Sequence, residues 1–332
     1  MNNLKKIGLT ALAASLVSTS VFAGEVTVAG SAKMAVDGYS GTAQNAGKGF
    51  SMGNQLTFSG SGELDNGLTA SISFVLDQGD DSYVAAASAA APHGGSSPFD
   101  SHSVSISSDA LGTLTMHGEG GSNAAAALDT TAAGDIWDNF DNVAETTGAI
   151  VKTGASGADI LVYALPSIMD DLALSVSYSP QQAGAASSTG YAATYTGVEG
   201  LSVSYGFADA ETGVSTTEAD QTVMKASYAW NSLTVAYSEN DYQSAVAASD
   251  QETSSYKVSY TVSDELSVSY GHEEITLEGD TDEAEFELLS AAYTTGGMTV
   301  TATMAESTDG AHDGASKADD RDYWALSLAF AF

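Results

Sequence analysis

The sequence contains no cysteine. That excludes a disulfide framework, a thiol nucleophile and a cysteine metal site. Basic residues are scarce, nine Lys and Arg against 43 Asp and Glu. Such a chain repels nucleic acid and anionic headgroups, which are bound through Lys/Arg patches. Beyond the N-terminal region no stretch is apolar over the ~20 residues that a spanning helix needs. Catalytic signatures are missing too. There is no HExxH and no GxSxG. "HGEGGSN" (His117–Asn123) lacks the strand and helix that flank a dinucleotide-binding glycine loop. "DIWDNFDN" (Asp135–Asn142) has acids at i, i+3 and i+6, which is not EF-hand spacing, and it lacks the EF-hand glycine. The chain reads as a non-enzyme and requires no cofactor, although calcium held between loop carboxylates is an expectation that so many acids permit.

The N-terminus is a processing signal. "MNNLKKIGLTALAASLVSTSVFA" places Lys5 and Lys6 before an apolar run from about Ile7 to Val17, with small residues at Val21 and Ala23. This predicts a cleaved secretory signal over 1–23 and a mature domain over 24–332. The mature chain keeps all 43 acids and seven of the nine bases, a net charge of −36 with histidine neutral. Acidic chains of this kind can be disordered. Hydrophobic residues at 43%, with 15 Tyr and 10 Phe, argue against that.

The dominant pattern in the mature chain is period two. "LSVSYGF" (Leu201–Phe207) sets Leu201, Val203, Tyr205 and Phe207 on one face and Ser202, Ser204 and Gly206 on the other. The same alternation predicts sixteen strands: 25–37, 52–64, 67–77, 101–108, 112–118, 158–165, 171–180, 188–197, 200–209, 220–230, 232–240, 252–262, 264–274, 283–294, 297–306 and 320–332. Most are near the length at which a tilted strand crosses a bilayer. In 283–294, Phe286 and Leu288 fall on one parity and Leu289, Ala291 and Tyr293 on the other, which predicts a bulge. Seven tight connectors such as "DNG" (Asp65–Gly67), "WNS" (Trp230–Ser232) and "TGG" (Thr295–Gly297) alternate with eight longer polar ones, the largest being 78–100 and 119–157. Short turns on one side and long loops on the other predict a closed up-and-down transmembrane barrel.

The ending "WALSLAFAF" (Trp324–Phe332) fits that architecture. Five large apolar residues on one side of a terminal strand would face lipid. Tyr and Trp at strand ends, among them Tyr178, Tyr228, Trp230 and Tyr237, fit interfacial girdles. A secreted acidic adhesin or surface-layer protein of β-sandwiches would also explain the signal and the acidity. It would not explain sixteen spanning-length strands or the last residue.

These residues resemble a known family. "EVTVAGSAKMAV" opening the mature chain, "LTFSGSGELDNGLTASISF" as the first complete hairpin, "LGTLTMHGEGGSNAAAAL" running into the long third loop, and the terminal Phe332 are similar to the sixteen-stranded general diffusion porins of Gram-negative outer membranes, most closely the alphaproteobacterial (Rhodobacter) type. The resemblance spans essentially the whole mature chain. It implies a homotrimer of water-filled pores for ions and small hydrophilic solutes, with the third external loop folded inward. It also implies that Phe332 is an assembly signal.

The expected constriction is that loop, with Glu119, Asp129, Asp135, Asp138, Asp141 and Glu145, and with Trp137 and Phe140 packed against something. A connector of this length is functional or disordered. On the parity above, Lys33, Lys225 and Lys257 point inward as the pore wall, with Lys33 where relatives often carry arginine. The only arginine, Arg321, opens the last strand. An arginine ladder facing the loop is therefore absent, and an acid-lined pore with few bases is expected to favour cations.

Overall fold

The computed structural model describes residues 26–41, 47–77, 99–128, 130–140, 151–154, 156–180, 187–211, 218–245, 250–279, 282–310 and 320–332. The expected signal segment, 1–23, lies outside them.

Alternating apolar and small polar residues produce strands with one wet and one dry face, and these close on themselves. In chain order the barrel strands are β1 (Thr27–Gly41), β2 (Gly47–Glu63), β3 (Thr69–Asp77), β4 (Ser101–Ser108), β5 (Gly112–Glu119), β8 (Ile160–Ala164), β9 (Leu172–Ser179), β10 (Ser187–Val198), β11 (Leu201–Glu211), β12 (Ala219–Trp230), β13 (Leu233–Ser244), β14 (Gln251–Thr261), β15 (Leu266–Leu277), β16 (Ala284–Thr295), β17 (Met298–Thr308) and β18 (Arg321–Ala331). Two short strands, β6 (Gly121–Ser122) and β7 (Ser156–Gly157), pair with each other outside the barrel sheet. Every barrel strand is antiparallel to its neighbours, and β1 pairs with β18 to close the sheet. Closure satisfies the backbone groups that an open edge would leave bare in hydrocarbon.

The closing seam runs from Ser31 opposite Ala331 to Gly41 opposite Arg321. It is extended by Gly30 N–H to Phe332 O (2.8 Å) and Phe332 N–H to Gly30 O (3.0 Å). Gly30 is where the terminal ring lies: a Cβ there would come within 2.5 Å of the Phe332 ring.

Seven tight connections gather at one rim. In the β16–β17 turn both Gly296 (φ 56°) and Gly297 (φ 80°) have positive φ, as a twisted two-residue hairpin requires. At the other rim lie the longer connections. The outward residues include exposed Val203, Tyr205, Met304 and Leu326, while Ser177, Gln221, Ser238, Ser255 and Ser307 on the inner face are buried.

One expectation is corrected here. β16 runs in unbroken register against both β15 and β17, so it has no bulge. Phe286 does point inward, and it is fully buried because loop residues cover it. Shifts of register occur instead in the β4–β5 and β10–β11 pairs.

Candidate functional site

The connection between β5 and β8 leaves the rim and lies along the inner wall as a strap. Its two ends are tied by the β6–β7 ladder, Gly121 opposite Gly157 and Ser122 opposite Ser156. It then follows wall side chains strand by strand. Ala124 N–H donates to Ser177 Oγ on β9 (2.8 Å). Ser238 Oγ on β13 donates to Thr130 O (3.0 Å) and accepts from Ala132 N–H (2.7 Å). On β14, Ser255 Oγ accepts from Ala133 N–H (2.9 Å), and Lys257 Nζ donates to Ala133 O (3.3 Å). Trp137 N–H donates to Glu273 Oε2 on β15 (3.1 Å), and Tyr39 OH on β1 donates to Asn139 O (2.6 Å).

A short 3-10 turn, Ile136–Asn139, delivers Ile136 and Phe140 into an apolar cluster with Ile275, Ala284, Phe286 and Ala305 of the wall. The Phe140 ring meets Phe286 at 5.8 Å and lies edge-on to Tyr39 and Tyr323, each at 6.4 Å. Aromatic pairs at these separations add roughly 0.5–1.5 kcal/mol each beyond area burial. The expected packing of the loop aromatics thus has a specific partner, the inward side chains of β15 to β18 and β1.

The returning leg, residues 151–154, is held by carboxamides. Gln251 Oε1 accepts from Lys152 N–H (2.6 Å), Asn240 Nδ2 donates to Lys152 O (3.0 Å), and Gln221 Oε1 accepts from Gly154 N–H (2.8 Å). Gln221 Nε2 also donates to Asn240 Oδ1 (2.8 Å). All three carboxamides are buried. Each spends its donors or acceptors on backbone, which makes the seat neutral.

The strap touches β9 to β18 and β1. That leaves β2 to β5 and β8 as the free wall, on the far side of the barrel. Its inward positions are mainly Ser and Thr, such as Ser59, Ser71, Ser73, Ser103 and Ser105, which line a recess of about 360 Å³ together with Thr27 and Ser61. No inward position of these strands carries Lys or Arg.

The expected site residues fall as follows. Asp135 and Asp138 are exposed on the strap beside exposed Gly134. Asp135 is in a left-handed backbone conformation (φ 50°), and its Oδ1 accepts from Thr131 Oγ1 (2.5 Å). Glu119 is set apart from them. Gly118 is an extra residue in β5, so Glu119 stands opposite His102, in register with the outward Val104 and Ile106 of β4. One inserted residue reverses parity. Asp129, Asp141 and Glu145 lie outside the described residues. Lys33, Lys225 and Lys257 all occupy inward positions, but Lys225 (β12) and Lys257 (β14) are on the strap's own side. Only Lys33 borders the free wall, opposite Gly53 of β2. Two facing rows of opposite charge are therefore not what these residues form.

Outside the pore, Glu274, Glu283 and Glu285 are the described carboxylates close enough to share an ion, and they belong to the outer face and rim, not to the strap. At the same rim Glu278, in the connection after β15, has its pKa raised by a hydrogen bond with Asp250 and by that neighbour's negative charge.

What sequence reasoning missed is the seat. Glycines on the inner faces of β10, β11 and β15, and carboxamides on β12 to β14, mark where the strap presses. A glycine inside a strand signals the close approach of another backbone.

Comparison with known proteins bears on this geometry. A family model described as "Gram-negative porin" matches residues 8–289. No curated protein matches the chain. Among solved structures, a porin refined at 1.8 Å is 17% identical with a TM-score of 0.65, an anion-selective porin from Comamonas acidovorans is 17% identical with 0.66, and an engineered variant of the Rh. blastica porin is 15% identical with 0.61. Each alignment covers 93% of this chain and 100% of the other. At such identities the likeness is one of fold.

Proposed function

The chain belongs to the Gram-negative porin family, whose members are outer-membrane diffusion channels and not enzymes, and from that membership we propose a cation-preferring pore that works as a homotrimer. The observation that carries the preference is the asymmetry of the lumen. Asp135 and Asp138 stand exposed on the strap, and the wall beyond them offers hydroxyls without a Lys or Arg row. A cation near the strap meets attraction that no facing base cancels. Unit charges ~6 Å apart interact by roughly 3 kcal/mol at an effective dielectric near 20, less after screening. A third of that shifts relative permeability several-fold. The Comamonas porin of the same fold is anion-selective, so the fold by itself carries no cation preference and the proposal stands on the side chains of the lumen.

The test is the zero-current potential across a KCl gradient. The pore should prefer K⁺ over Cl⁻, and less so as salt rises. Asp135→Asn with Asp138→Asn should reduce the preference, while Asp309→Asn in an outer connection should leave it in place. Asparagine suits Asp135 because it tolerates positive φ. Anion preference in the parent, or an unchanged potential in the double variant, would reject this reading.

The trimer is supported by a gap in the aromatic girdle. Strands β8 to β14 and β16 carry exposed Tyr and Trp, including Tyr163, Tyr205, Tyr228, Trp230 and Tyr260. The outward positions of β1 to β5 carry none. In their place is an apolar groove of about 450 Å³ lined by Val26, Phe58, Ile72, Phe74, Leu76 and Phe99. Interfacial aromatics belong where headgroups are met; a largely apolar face without Tyr or Trp suits a neighbouring copy. Ile72→Arg should convert an SDS-resistant oligomer band into a heat-modifiable monomer with the barrel intact. Persistence of the oligomer would remove β1 to β5 from the interface.

A further inference from the structure

Gly206 on β11 and Gly271 on β15 occupy inward wall positions under the strap. Each lies in close contact with the strap. A Cβ on Gly206 would lie 2.8 Å from Ala125 Cα; one on Gly271 would lie 2.9 Å from Ala133 Cβ. The strap answers each glycine with an alanine, and both Ala125 and Ala133 are buried. Two side-chain ends share these contacts, Leu128 Cδ1 at 2.8 Å from the Gly206 position and Ile136 Cδ1 at 3.2 Å from the Gly271 position, but Ile136 is fully buried and the alanines have no rotamer to change. The strap is also held down at this level. Ser255 Oγ and Lys257 Nζ bind the N–H and carbonyl of Ala133, flanking the contact with Gly271. Immediately beyond Ala133 the chain emerges into the lumen at Gly134 and Asp135.

Wall thickness plus strap thickness therefore determines how far the strap edge projects. Carbon atoms at rest sit about 3.5–4.0 Å apart, so a methyl on Gly271 moves Ala133 inward by roughly 0.8 Å. We propose that Gly271, with Gly206, sets the size limit of the pore, independently of the charges that set its ionic preference. The solutes it grades are uncharged hydrophilic ones, sorted by cross-section. Both glycines are positioning residues: they act through the strap and need not touch the solute. This inference rests on the strap as the constriction, but not on the sign of its selectivity.

The experiment uses the full chain in planar bilayers and liposomes, with Gly271→Ala and Gly271→Val. Unit conductance is expected to fall by less than about twofold for Gly271→Ala and by more for Gly271→Val, and the largest neutral sugar that swells liposomes should become smaller. The K⁺/Cl⁻ ratio should hold. Adding Ala133→Gly to Gly271→Ala should restore most of the parental conductance, because it removes the 2.9 Å contact and leaves the end of the Ile136 side chain at 3.2 Å and Ala133 Cα at an ordinary 3.6 Å. That rescue separates a lifted strap from a damaged barrel. Unchanged conductance and size limit in an SDS-resistant Gly271→Ala protein would overturn the proposal. So would a rise in conductance, or failure of Ala133→Gly to rescue. If Gly271→Val does not assemble, Gly206→Ala must show the same fall. A fall in conductance together with loss of cation preference would instead implicate the strap acids, and would count against independent control of size.

Discussion

A chain that ends at Ala331 is expected to reach the outer membrane poorly and to lose most of its SDS-resistant form. Phe332 supplies the last two hydrogen bonds of the closing seam, given and received by Gly30. Without it the Gly30 N–H and C=O have no partner in the sheet, and each such group facing hydrocarbon costs several kcal/mol. The ring matters separately. It lies over Gly30 and near Leu56, on the outward side of three successive strands. Phe332→Asp should keep the backbone pair and still impair assembly, since it sets a charge where that ring lay. Quantifying the heat-modifiable band in outer-membrane fractions checks both variants. Parental levels for the deletion would show that the seam closes without its final pair.

The second large effect separates the two faces of one strand. Val203→Arg should destabilise the barrel by about 2 kcal/mol, the lower end of the midplane range, because Val203 stands two residues in from the start of β11. Val203 is exposed on the outer face, paired with Tyr195 and Ala226. Its neighbour Ser204 points inward, its hydroxyl 2.8 Å from that of Thr194 and its register partner Lys225. Ser204→Arg should therefore fold, lower K⁺ preference and leave stability within a fraction of that value. Urea unfolding in liposomes measures the first effect and reversal potential the second. Equal destabilisation at both positions would contradict the assignment of faces.

Legibility in the sequence followed physical uniqueness. Alternation in stretches such as Leu201–Phe207 has one stable outcome, a strand with a wet and a dry side, so sixteen strands and their order could be read directly. Phe286 and Leu288 show where that logic stops. Apolar residues on the inner face contradict a purely aqueous lumen, and a bulge was the local remedy. The barrel uses a non-local one: Phe140, far away in sequence, covers them. Gln221, Asn240 and Gln251 were illegible for a related reason. A carboxamide pointing into water and one holding a backbone look alike in sequence. Lys225 and Lys257 were placed on the correct face, but periodicity does not tell which arc of the barrel the strap occupies. Glu119 was misplaced by a single extra residue, Gly118.

The seam has a consequence for the order of folding. Ser31 and Ala331 are partners about 300 residues apart, in the first and last strands of the barrel. Loop closure over such a length costs only logarithmically more than over a short one, but it must precede every contact that rewards it. Until β18 arrives, β1 and the growing end of the sheet are both exposed edges, the form most prone to pair with other chains. Each hairpin can form locally, with its tight turn as nucleus, while the join comes last. The pairing of first with last strand thus acts as a checkpoint: a truncated or stalled chain stays visibly open and available to degradation, and only a complete one loses its edges.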